Sequence, residues 1–150
     1  MNPMKRFGLT VLVLILGVHF AALPIFARKS PTLGSITFKL TPPAIDPPEP
    51  QASGRYTLTA NTWEDFGTFG PIQVSVSCRR LTPGKQYYVE TLVWWYDVWG
   101  NDGSYYVERA FEADRLGKLQ GQFTVEGSYI FISTLWIQDG AGNVVLEEQR

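Results

Sequence analysis

The sequence predicts an all-β protein, an antiparallel sandwich of about 7–8 strands behind an apolar N-terminal leader. Three observations carry this. From Arg55 onward, Val, Ile, Thr, Tyr, Phe and Trp dominate short runs, the composition that suits a pleated, half-buried surface. No window of helical length keeps a 3.6-residue period, because Gly or Pro interrupts it. One turn signature, Asp-x-x-Gly followed by Asn or Lys, recurs three times between strand-like runs. A chain of 150 residues, 45% apolar, is enough for one domain with a modest core.

The first element is an address. Lys5 and Arg6 precede the uncharged, Leu- and Val-rich stretch Phe7–Leu23, and Pro24 then breaks a helix. Ala27 follows ahead of Arg28-Lys29. That order is a secretory signal peptide over residues 1–27, cleaved after Ala27. The alternative is an uncleaved anchor, since Phe7–Ala27 approaches the roughly 20 residues that span a bilayer. Either way the chain is exported, to the periplasm or outside, and it meets a membrane only through this leader. Cleavage removes Lys5 and Arg6 from 13 basic residues, leaving 11 against 14 acidic, a net −3. No basic stripe then remains to track a phosphate backbone, so nucleic acid is not an expected partner. The sole histidine, His19, departs with the leader, taking Ser-His-Asp, Cys-His and His-ligated metal schemes with it. Cys78 is the only cysteine, so no intramolecular disulfide forms, and a buried strand position is expected for it.

Residues 28–54 read as an extended, Pro-rich opening segment with one strand, Leu33–Leu40, whose Ile36, Phe38 and Leu40 share a side. Pro42, Pro43, Pro47, Pro48 and Pro50 then make a stiff connector that cannot enter a sheet interior. Residues 55–150 form the sandwich, with strands at Arg55–Ala60, Ile72–Arg79, Tyr87–Asp97, Ser104–Ala113, Leu119–Glu126, Ser128–Gln138 and Val144–Glu148. The turns at Asp97–Asn101, Asp114–Lys118 and Asp139–Asn143 each predict a hairpin. Asp caps nearby N–H groups at the first position, and Gly takes the left-handed conformation at the fourth. Val93–Asp97 echoes Leu135–Asp139, which predicts two equivalent long strands in the two halves of the sandwich.

Leu81-Thr82-Pro83-Gly84-Lys85-Gln86-Tyr87 resembles the tyrosine-corner approach of fibronectin type III and related immunoglobulin-like domains. With the Asp-x-x-Gly-Asn turns, residues 55–150 are similar to a bacterial immunoglobulin-like extracellular domain. The resemblance implies an immunoglobulin-like sandwich and an exported habit, and it brings no ligand with it. The sequence departs from antibody domains in having one cysteine, and from fibronectin order in that three strands follow where that fold would stop.

Aromatic residues supply the candidate binding site. Strand alternation puts Trp94 and Tyr96 on one face of their strand and Tyr87 and Trp95 on the other. With Tyr87 inward, Trp95, Phe131 and Ile137 are expected in the core, while Trp94, Tyr96 and Trp136 point outward. Trp99 joins them at the hairpin tip. These four rings, Trp94, Tyr96, Trp99 and Trp136, form a candidate platform for a polysaccharide or a protein partner. The competing expectation is that the Pro-rich segment, or the loop carrying Trp63, Phe66 and Phe69, covers them. Asp97, Asn101 and Asp102 crowd one tip, but Asp97 is accounted for by its turn, so no metal and no cofactor is expected. Glu90, Glu108 and Glu112 are the carboxylates a glycosidase could draw on, with Glu108 and Glu112 on a solvent-facing side. The expected function is therefore a non-catalytic binding or structural module of the cell envelope or extracellular space. A carbohydrate-binding module is the first alternative, and a small secreted hydrolase with paired carboxylates is the second.

Overall fold

The computed structural model describes residues 34–61, 68–127 and 129–149. The leader and its expected signal helix, Trp63 and Phe66 lie outside the described residues. The strands are β1 (Gly34–Thr41), β2 (Ser53–Ala60), β3 (Thr68–Phe69), β4 (Ile72–Arg79), β5 (Gln86–Tyr96), β6 (Asp102–Glu112), β7 (Leu119–Val125), β8 (Tyr129–Asp139) and β9 (Val144–Glu148). No helix occurs among the described residues, and so none is long and apolar enough to cross a membrane. Every ladder is antiparallel.

The expected pair of separate layers is one continuous sheet. Its order is β6-β5-β8-β9-β1-β2-β4-β7, with β3 attached to β8. β1 joins the two halves of the order, through a full ladder with β2 and through Leu40 and Thr41 with Glu148 and Glu147 of β9. The sheet curls nearly into a barrel, because its last strands, β6 and β7, lie against each other. Side chains close that seam. Phe111 of β6 lies over Gly121 of β7, where a Cβ would collide with the ring. Arg109 sits over the Phe123 ring, and the Tyr105 hydroxyl donates to the Glu126 carbonyl at 3.0 Å.

Inward alternation fills the interior. Tyr56 and Leu58, Val74 and Val76, Tyr87, Val89 and Val93, and Leu135 and Ile137 are buried in one cluster. Phe38 stacks on Tyr56 with centroids 4.9 Å apart. Cys78 is buried on β4, and burial pushes its thiol up to about 12, so it packs as a small apolar group.

All three Asp turns share one geometry. The Gly at the fourth position is left-handed, with φ of 82° at Gly100, 69° at Gly117 and 83° at Gly142. Each Asp carboxylate accepts from the N–H groups two and four residues on, at 2.8–3.0 Å. Two of the turns close hairpins, β5–β6 and β8–β9. The third, at Asp114–Lys118, corrects the sequence reading: it is built the same way but sends β6 to β5 and β7 to β4. The reason is competition just outside the turn. Ala113 exchanges backbone bonds with Lys85 and Gly84, and Gly117 accepts from Leu81, so the flanking chains part at once. The echoing strands β5 and β8 are also neighbours in the sheet rather than counterparts in two halves.

The corner expected at Tyr87 is present. The Thr82 N–H donates to the Tyr87 hydroxyl at 2.9 Å, and that hydroxyl donates to Glu49 at 2.5 Å. Glu49 also accepts from the Thr82 N–H and hydroxyl and faces Lys85 at 3.6 Å, so the Pro-rich segment is anchored at this end of the barrel. Burial and then the Glu49 carboxylate push the Tyr87 hydroxyl up to about 12. Lys85 bonds Asp139 at 3.1 Å. Burial alone would raise Asp139, but the backbone N–H and side-chain amide of Asn143, with Lys85 and the Ala141 N–H, outweigh it and hold the carboxyl at about 2.

Candidate functional site

The site is the outer face of β5, β6 and β8. On β5, period-2 alternation turns Tyr88, Glu90, Leu92, Trp94 and Tyr96 outward, opposite Ala110, Glu108, Tyr106, Ser104 and Asp102 of β6. On β8, Gln138, Trp136 and Thr134 are opposite Tyr88, Glu90 and Leu92. A bulge at Ser133 then shifts the register, so that Phe131 pairs with Trp94 and Tyr129 with Tyr96.

That bulge overturns one expectation. Phe131 stands on the outer face and not in the core, because the extra residue inverts the alternation of every position before it. Ile130 and Ile132 take the inward places, beside Trp95 and Val93. Ile137 is buried and Trp95 packs against the core, as alternation from Tyr87 requires. The Trp95 indole lies across Gly103, its partner on β6, where a Cβ would sit 2.8 Å from the ring.

The outer rings form two groups in contact. Trp94 and Phe131 are parallel and offset, with centroids 6.4 Å apart and planes 8° apart. Phe131 continues to Tyr96 at 6.2 Å and 17°, and Tyr96 meets Tyr129 edge-on at 6.2 Å. Further along, Trp136 meets Tyr106 edge-on at 6.0 Å. Tyr96 is 40% exposed and Tyr106 is 61% exposed, while Trp94 and Trp136 are half-buried. Trp99 projects from the hairpin tip at 85% exposed.

The structure thus brings Trp94 and Tyr96 together through Phe131, places Trp136 on the same face, and holds Trp99 apart at the end of the molecule. Sequence reasoning missed Phe131, Tyr129 and Tyr106. Tyr106 was within reach, since a tight Asp97–Asn101 hairpin fixes the β5–β6 register and puts it outward beside Leu92.

Polar groups flank the rings. Glu90 accepts from the Trp136 indole at 3.2 Å and from the Gln138 amide at 3.0 Å. Glu108 is directly opposite Glu90 in the ladder, so two of the three carboxylates named from sequence do meet. They meet on an open convex surface. Asp97 spends its carboxylate on its own turn, and the Asn101 amide, first, with the turn N–H groups lowers its pKa.

The other half of the sheet carries two shallow grooves. One of about 470 Å³ runs past Thr57, Ser75, Ser77 and Gln122, and one of about 460 Å³ past Lys39, Arg55, Arg79 and Lys118. Neither is lined by a carboxylate. Neither a family model, a curated protein nor a solved structure matches the chain.

Proposed function

We propose that the chain is an exported, non-catalytic binding module with an immunoglobulin-like fold, whose ligand, a polysaccharide, docks on the aromatic outer face of β5, β6 and β8. The observation that carries this is the shared face of the rings: Trp94, Phe131, Tyr96, Tyr106 and Trp136 all stand on it, and Tyr96 and Tyr106 keep much of their surface in water. Sugar rings present flat C–H surfaces that stack on such faces, and the Glu90 carboxylate and Gln138 amide beside them accept and donate to hydroxyls. Export rests on the charge, apolar run and small residue of the leader.

Strand order supports the immunoglobulin-like reading. Taking β2, β4 and β7 as strands A, B and E, and β9, β8, β5 and β6 as G, F, C and C′, reproduces the neighbours of that fold. The chain departs from it in three ways: β1 is added between A and G, the two-residue β3 is attached to F, and the tyrosine corner leads the strand in the C position rather than F. A hydrolase gains no support, because it needs its two carboxylates across a cleft, and Glu90 and Glu108 lie side by side on a convex face.

Affinity electrophoresis through gels holding neutral polysaccharides tests the proposal. Trp94→Ala and Trp136→Ala are each expected to weaken retardation by about tenfold or more with the melting temperature nearly unchanged. Retardation that survives both substitutions, or none on any polysaccharide, sinks the polysaccharide reading.

A further inference from the structure

We propose a second binding site, for an anionic polysaccharide, on the outer face of β1, β2, β4 and β7. It goes beyond the aromatic face, shares no residue with it and does not depend on it.

Four cations that are scattered along the sequence meet there. Register puts Lys39 of β1 directly opposite Arg55 of β2, and Arg55 continues across Ser77 of β4 to Gln120 of β7. In the next row Ser53 faces Arg79, and Lys118 immediately precedes β7. Lys39, Arg55, Arg79 and Lys118 all line the groove of about 460 Å³. At about 4.8 Å per strand, the band spans roughly 15 Å across the sheet.

These charges are not consumed internally. Among the described residues both ion pairs belong to Lys85, and none involves the four. Arg79 donates through Nε to the Ser53 hydroxyl at 3.0 Å, which leaves the rest of its guanidinium to solvent. Asp114, the acid that Lys118 feels, is committed to the N–H groups of Leu116 and Lys118. Like charges directly opposite in a ladder oppose folding, so the Lys39–Arg55 pair works against stability until an anion lies between them.

The neighbourhood selects the ligand. The cationic groove shares Arg55, Ser77 and Gln120 with the groove of about 470 Å³, which adds the hydroxyls of Thr57 and Ser75 and the amide of Gln122. Guanidinium and ammonium groups take carboxylates or sulfates, and the hydroxyls and amides take the sugar hydroxyls between them. Neither groove holds an aromatic ring on which bases could stack, nor an exposed apolar side chain to enter a bilayer.

Affinity electrophoresis decides it with polygalacturonate and dextran sulfate as probes, dextran as the neutral polymer and oligothymidylate as a polyanion without free sugar hydroxyls along its chain. Retardation by at least one anionic polysaccharide is expected to persist in Trp94→Ala, whereas any retardation by dextran belongs to the aromatic face and should be lost in that variant. Arg55→Gln with Arg79→Gln should weaken it by about tenfold or more. Arg55→Gln alone should weaken it several-fold, whereas Arg109→Gln, which removes one charge of the same kind from the β6–β7 seam, should leave it within about twofold. Trp94→Ala should leave it unchanged, so this site and the aromatic face stand or fall separately. Retardation by neither anionic polysaccharide overturns the proposal. So does equal loss from Arg109→Gln, which would mean net charge alone, or oligothymidylate binding as tightly through the same arginines, which would mean a nucleic-acid surface.

Discussion

The two halves of the sheet share one interior and present opposite chemistry to water. Outside β5, β6 and β8 stand rings and carboxylates, with Glu90 directly opposite Glu108. Outside β1, β2, β4 and β7 stand hydroxyls, amides and cations, with Lys39 directly opposite Arg55. Each face therefore holds one like-charged cross-strand pair, of opposite sign to the other. Folding needs neither arrangement, since the core is satisfied by inward residues of the longer strands. What is dictated by folding is the inside, and the outside is where this sequence has room to specialise.

The largest expected effect comes from forcing the halves apart. Gly121→Val drives a side chain into the Phe111 ring at the β6–β7 seam and should cost about 2 kcal/mol. Urea unfolding measures it, and an unchanged midpoint would mean that the two halves do not pack there.

A middle-sized effect separates the carboxylates that stabilise from those that do not. Asp139 is held at about 2 against an ordinary 3.8, so its contribution is complete above about pH 5 and is lost as the pH falls through 2. Asp139→Asn should cost about 1 kcal/mol at pH 7, below the full linkage value because the turn meets solvent. That difference from the parent should close in melts near pH 2. A gap that stays constant with pH would show that the amide disturbs the turn itself rather than its charge.

The smallest effects run the other way. Glu108→Gln and Lys39→Gln each relieve a like-charged pair and should stabilise by about 0.2–1 kcal/mol. The gain should shrink with added salt, as screening predicts for exposed charges. Destabilisation by either substitution would mean that its partner is already neutralised by something else.

Much of this arrangement is written locally. β4 and β9 fall at the ends their runs suggest, and the three Asp turns form as their residues demand. Tyr87 finds the backbone of Thr82 because Pro83-Gly84 brings it round. What was not legible depends on partners distant in sequence. Ser133 is an ordinary strand residue, and only pairing with β5 makes it a bulge that turns Phe131 outward. Asp114–Lys118 matches its sister turns, and only the bonds to Leu81, Gly84 and Lys85 deny it a hairpin. β3 has two residues and no pattern of its own. The cationic band is invisible in sequence because register alone aligns Lys39, Arg55 and Arg79.

The seam has a further consequence. β6 and β7 each have one flank without a ladder partner among the described strands, and Phe111, Arg109 and Tyr105 stand between them where hydrogen bonds would otherwise run. Such flanks are templates on which a foreign strand can grow. Protection of these two flanks from strand addition thus falls to side chains rather than to a ladder.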